Sequence, residues 1–198
     1  MRGRVAAILL AIGGAGCLSE DWIGEGDVEP QEQLEQQCFD YTRWDGTSPS
    51  VALETDLLGD QAADGTGGGF LRRACGFSTC HGNLQKPAAG LFLGPPLFSF
   101  TDPIQIIPEE IAAVLANLIR RPSQIAPALN RVVPGDPQNS FLMIKVDGCF
   151  TPIAAQCENQ LPGSVTDHRC GDVMPRGGQP LVPAERDTLR RWISQLTE

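Results

Sequence analysis

Apolar residues recur at helical spacing in three stretches of the chain, and nowhere do they hold the two-residue alternation of a half-buried strand. Pro108-Glu109-Glu110 opens the first stretch, in which Ile111, Val114, Leu115 and Leu118 fall on one face and Arg120 and Arg121 stand near the predicted end. Acids at the start and bases at the end suit the helix dipole. Asp136-Pro137 supplies an N-cap and a first-turn proline before Ser140-Phe141-Leu142-Met143-Ile144-Lys145. Pro183-Ala184-Glu185 opens a last helix with Leu189, Trp192, Ile193 and Leu196 on one stripe. Val51 to Leu58 has room for one or two helical turns, and Gly59 to Gly69 is a flexible loop. Its three consecutive glycines follow no strand and precede no Lys-Ser/Thr, so they read as linker and not as a phosphate loop. The pattern predicts a mainly α domain with long loops and no internal repeat.

Composition narrows the function classes. Of 198 residues, 41% are hydrophobic and 20% charged, which is an ordinary globular balance. Fifteen Lys plus Arg against 24 Asp plus Glu give a net charge of −9, the wrong sign for a phosphate-neutralising surface, so no nucleic-acid partner is expected. Residues 1–16 (MRGRVAAILLAIGGAG) run from two arginines through a short apolar stretch to small residues, the order of a secretory signal. That segment ends at Gly14-Ala15-Gly16-Cys17, which resembles the lipobox of bacterial lipoproteins. The resemblance implies cleavage before Cys17 and lipid on its new N-terminus, hence attachment to a membrane through lipid. Leu18 and Ser19, with no Asp after the cysteine, fit sorting to the outer membrane. The other reading is a plain signal peptide with Cys17 as one more disulfide partner. Loss of residues 1–16 removes Arg2 and Arg4 and moves the net charge to −11. Export also places the cysteines where oxidation persists. Leu18 to Gln37 is acidic and Gln-rich and reads as a tether. The expected organisation is a signal over 1–16, a tether with the Cys38 segment over 17–50, and a domain over 51–198.

The segment Cys75-Gly76-Phe77-Ser78-Thr79-Cys80-His81-Gly82 carries the candidate chemistry. Two cysteines followed directly by histidine can form thioethers with haem vinyl groups while the adjacent imidazole ligates iron. Four residues separate the cysteines in place of the usual two, a spacing that some multihaem cytochromes use. A local Cys75–Cys80 disulfide with an exposed His81 is the alternative. Further on come Val132-Val133-Pro134-Gly135-Asp136-Pro137 with Ser140, then Met174-Pro175, then a terminal helix holding Trp192-Ile193. In this order the chain, from about Phe70 to Leu196, resembles the cytochrome c-like domains of exported bacterial proteins, related to class I cytochromes c. The resemblance implies a cytochrome c-like helical fold, haem c on Cys75 and Cys80, His81 as proximal ligand and Met174 as distal ligand. A thioether opposite an imidazole raises the potential and suits electron transfer. Met143 sits in an apolar helical run and reads as core. His168 is an alternative distal ligand, and zinc on Cys75, Cys80, His81 and a later cysteine is a further one.

The 93 positions from His81 to Met174 imply looped-out insertions, one between Gly94 and Pro108 and one between Asp147 and Cys170. One cysteine for lipid and two for haem leave Cys38, Cys149, Cys157 and Cys170, which allow three pairings. Two disulfides are expected, tying the second insertion to itself and to the Cys38 segment. No nucleophile elbow, metalloprotease motif or dinucleotide fingerprint is present, so the chain is read as a non-enzyme. The expected function is a membrane-anchored monohaem cytochrome passing single electrons to a redox partner protein outside the cytoplasm. The alternative is a haem-free, disulfide-stapled surface lipoprotein acting as a binding or structural module.

Overall fold

The computed structural model describes residues 38–60, 69–99, 102–158, 170–176 and 180–197. The signal segment, Cys17, the tether and His168 lie outside the described residues. Among the described residues four α-helices follow in order: α1 (Phe70–Cys75), α2 (Pro108–Leu118), α3 (Phe141–Asp147) and α4 (Pro183–Gln195). A π-helical turn covers Leu53–Leu57, and 3-10 turns cover Tyr41–Arg43, Ala88–Gly90 and Thr151–Gln156. The only extended pairing among the described elements is a two-residue antiparallel ribbon, β1 (Phe98–Ser99) with β2 (Asp102–Pro103). The chain is therefore mainly helical, as the apolar spacing predicts. None of the described helices is long and apolar enough to cross a membrane.

The helix starts follow the sequence closely at α2 and α4. Each has proline in its first turn, where a missing N–H costs nothing, and a glutamate three residues in. Glu110 Oε2 accepts from the Ile107 N–H at 3.1 Å, and Glu185 Oε2 from the Val182 N–H at 3.0 Å. Two expected boundaries need correction. Helix α2 stops at Leu118, and Arg120 takes the left-handed region at φ 51°, so Arg120 and Arg121 lie beyond the last turn. Pro122 disfavours helical backbone at Arg121, and the chain instead pairs with the 130–132 segment through the Arg120 N–H to the Val132 carbonyl. Similarly, Asp136 caps a separate turn by accepting from the Asn139 N–H, and α3 begins only at Phe141 with Ser140 as its N-cap.

The main core is built where α1, α3 and α4 meet the Leu53–Leu57 turn. Leu57, Leu71, Leu142, Val146, Leu189 and Ile193 are buried there, with Val114 and Leu118 of α2 closing one side. All seven residues of α3 are buried, including Lys145 and Asp147. Asp147 is paired: Arg190 of α4 donates to both carboxylate oxygens at 2.9 and 3.0 Å while its guanidinium stacks 3.6 Å from the Phe39 ring centroid. The Cys38–Ser50 segment runs along α4. Gln195 donates to the Gly46 and Pro49 carbonyls, Trp44 Nε1 donates to Asp187, and Arg191 donates to the Asp45 carbonyl.

Disulfides join Cys38 to Cys149 and Cys157 to Cys170. One ties the second insertion to the Cys38 segment and the other ties it to itself, which is the expected arrangement. The first insertion is held by Arg72, whose side chain is fully buried. It donates to the carbonyls of Leu58, Pro95, Pro96 and Ile104 and pairs with Asp60 at 2.6 Å.

Candidate functional site

Helix α1 ends at Cys75, and the next seven residues fold into a compact loop. Cys80 N–H and Gly82 N–H both donate to the Phe77 carbonyl, and the His81 N–H donates to the Cys75 carbonyl at 3.2 Å. The extra residues of the four-residue spacer are thrown outward: Phe77, Ser78 and Thr79 are exposed, while Cys75, Cys80 and His81 are buried. Gly82 is required by this closure, because a Cβ there would lie 2.0 Å from the Gly76 carbonyl oxygen.

The His81 ring is fixed by the chain that follows. Its Nδ1 lies 2.8 Å from the Leu91 carbonyl oxygen, which can only accept, so Nδ1 carries the proton. Burial pushes the imidazole below its ordinary pKa; the Leu91 and Ala88 carbonyls oppose this and the Arg131 and Lys145 charges add to it. A neutral ring protonated at Nδ1 leaves the lone pair on Nε2, which is the arrangement of metal-binding histidines oriented by a backbone carbonyl. The carbonyl is itself held: the Leu93 N–H donates to the His81 carbonyl at 2.9 Å, and Arg131 donates to the Ala89, Gly90 and Asn117 carbonyls.

His81 opens onto an apolar cleft. Its wall is apolar, with Leu71, Leu91, Leu93, Ile125, Phe141, Leu142 and Val146, and it includes Cys75 and Met174. The structure thus brings three of the four predicted haem residues to one cleft. Cys80 is buried beside His81 but is not part of that wall. Met143 faces away, into the main core and a different cavity bounded by Cys38, Tyr41 and Asp147. Among the described residues, no three His, Cys, Asp or Glu side chains gather into a metal-binding group.

Two cysteine states bear on the chemistry. Cys75 is a free thiol, pushed up to about 12 by burial, with the Glu185 charge adding to the shift. Cys80 is disulfide-bonded. The alternative of a Cys75–Cys80 disulfide is therefore not what the structure holds.

Met174 sits on a short loop clamped to α3. Its N–H donates to the Lys145 carbonyl at 3.0 Å, and the Lys145 ammonium donates back to the Cys170 carbonyl at 3.0 Å and to the Asp172 carbonyl. Gly171 between those carbonyls has φ 72°, a turn that L side chains avoid. Burial pushes Lys145 down to about 8, with Asp172 opposing. Arg131, Asn117 and Lys145 escaped the sequence reading as site residues. The one available signal was Lys145 itself, a charge inside the apolar run Phe141-Leu142-Met143-Ile144-Lys145-Val146.

No family model, curated protein or solved structure matches the chain.

Proposed function

We propose that this protein is a membrane-anchored monohaem c-type cytochrome of the cell envelope, an outer-membrane lipoprotein carrying single electrons to a redox partner protein. The observation that carries the proposal is the His81 ring, held by the Leu91 carbonyl as the Nδ1–H tautomer at the wall of an apolar cleft that also contains Cys75 and Met174. The donor set fits haem c: a free thiol for one thioether, an imidazole with its lone pair on Nε2, and a thioether sulfur. Haem would supply the one-electron couple, and the chain's residues would set its potential through the axial pair and the dry wall. His81 and Met174 would both hold the iron and leave no open position on it, so the reading is an electron carrier and not an enzyme. Cys17 as lipid anchor completes the proposal at the N-terminus, outside the described residues.

Cys80 would hold haem only as a free thiol, so an external dithiol reductant, itself oxidised to a disulfide, would have to open the Cys80 disulfide first. That disulfide is the observation behind a second reading, a haem-free stapled module whose apolar cleft takes another ligand. Expression in a periplasm equipped with haem c attachment machinery separates the two. The expected product is red, and its haem stays with the polypeptide through acid extraction. Colourless protein with Cys80 still in its disulfide would sink the cytochrome reading.

A further inference from the structure

Resting on the reading of Met174 as an axial ligand, we propose that Lys145 is a positioning residue that fixes Met174 in the cleft wall. The contacts run both ways between α3 and the loop. The Lys145 carbonyl accepts from the Met174 N–H, and its ammonium reaches across 25 and 27 residues to the carbonyls of Cys170 and Asp172. Gly171, in the left-handed region, turns both of those carbonyls toward one ammonium; a Cβ on it would stand 3.4 Å from Lys145 Nζ. The start of the loop is tied by the Cys157–Cys170 disulfide, and its end is closed by Arg176 on Asp172 at 2.9 Å. The ammonium also lies 5.0 Å from the centroid of the Phe150 ring, inside the same insertion. Among these ties only Lys145 belongs to the cleft wall and to the loop clamp together. The insertion between Asp147 and Cys170 thereby acquires a role: it is the base from which the methionine loop is hung.

The side chain matters because a flexible methionine on an unheld loop would spend part of its time away from the metal. A buried lysine donating to two carbonyls of the loop restricts that motion.

The test compares Lys145→Leu, which removes the donors, with Lys145→Arg, which restores them. Amide exchange is read on the full chain as purified, so this measurement does not depend on haem. In Lys145→Leu the Met174 amide should exchange about tenfold faster or more, while the Ile144 amide within α3 changes little. Lys145→Arg should stay near wild type. In haem-loaded protein, Lys145→Leu should keep its covalent haem, lose most of the weak far-red band of a methionine–iron bond, and bind cyanide about tenfold more tightly. Unchanged exchange and an unchanged band in Lys145→Leu, with the band lost in Met174→Ala, would overturn the positioning role and leave the ligand reading standing. Wild-type protein without haem, or a band that survives Met174→Ala, would overturn the ligand reading and the positioning role with it. Should Lys145→Leu fail to fold, Lys145→Ala, which also removes the donors, carries the same measurements with the same outcomes.

Discussion

Met174 and Met143 differ in what surrounds them, and that difference assigns them different roles. Met143 is 1% exposed and packed in the main core, whereas Met174 is partly buried and faces the cleft that holds His81. Met143→Ala should leave a cavity and cost on the order of 2 to 5 kcal/mol in a urea titration, with the haem spectrum intact. Met174→Ala should cost far less stability and, on the proposed haem reading, abolish the far-red band and open the iron to cyanide while the haem stays attached. If Met143→Ala removes the band and Met174→Ala does not, the two assignments are reversed. At this scale the sequence was informative because both methionines sit in distinctive contexts, one in an apolar helical run and one beside proline in a loop. It was uninformative about Arg131, which donates to the carbonyls of Ala89 and Gly90, and Asn117, which accepts from the Phe92 N–H, and no local pattern announces such contacts.

Helix α1 has only six residues, too few to be stable alone, and so it depends on what its side chains reach. Arg72 supplies that support by joining α1 to Leu58, Asp60 and the first insertion. Replacing it with Met would leave four carbonyls, two of them buried, without their donor, and Arg72→Met should destabilise the fold by about 3 to 5 kcal/mol in urea. Asp60→Asn, which touches only one of the five partners at a half-buried carboxylate, should cost about 1 kcal/mol or less. Equal losses for the two variants would mean that the ion pair, and not the carbonyl set, holds the insertion. Arg72 and Arg73 of FLRRAC look alike in the sequence, yet one is fully buried and the other exposed. The stripes of α2 and α4 were legible because their apolar residues face one core. The ends were not, since Pro122 and the pairing with 130–132 decide where α2 stops. The two disulfides were expected, but their partners depend on which segments the fold brings side by side.

For the whole molecule, the buried His81, Lys145 and Cys75 and the half-buried Tyr41 shape how stability depends on pH in the haem-free chain. His81 is held below its ordinary 6.5, so its contribution is complete above pH 6.5 and is lost as the solution is acidified through its folded value. Lys145 titrates near 8 in the fold against an ordinary 10.5, so from pH 8 upward the unfolded chain binds the extra proton and stability rises. Cys75 does the opposite: its ordinary value is 9.0 and its folded value about 12, so above pH 9.0 the folded chain holds the extra proton and stability falls. Tyr41, raised above 10.0 by burial, adds to that fall. Each group contributes a slope of about 1.4 kcal/mol per pH unit within its own window. Stability should therefore climb between pH 8 and 9, level off where Lys145 and Cys75 oppose each other, and decline above pH 10. Urea midpoints taken at half-unit steps would trace the curve. Lys145→Gln should lose the climb, and Cys75→Ser should turn the level region into a continued rise. A flat curve between pH 8 and 9 would mean that Lys145 stays charged in the fold, its two carbonyl acceptors outweighing the cost of burial.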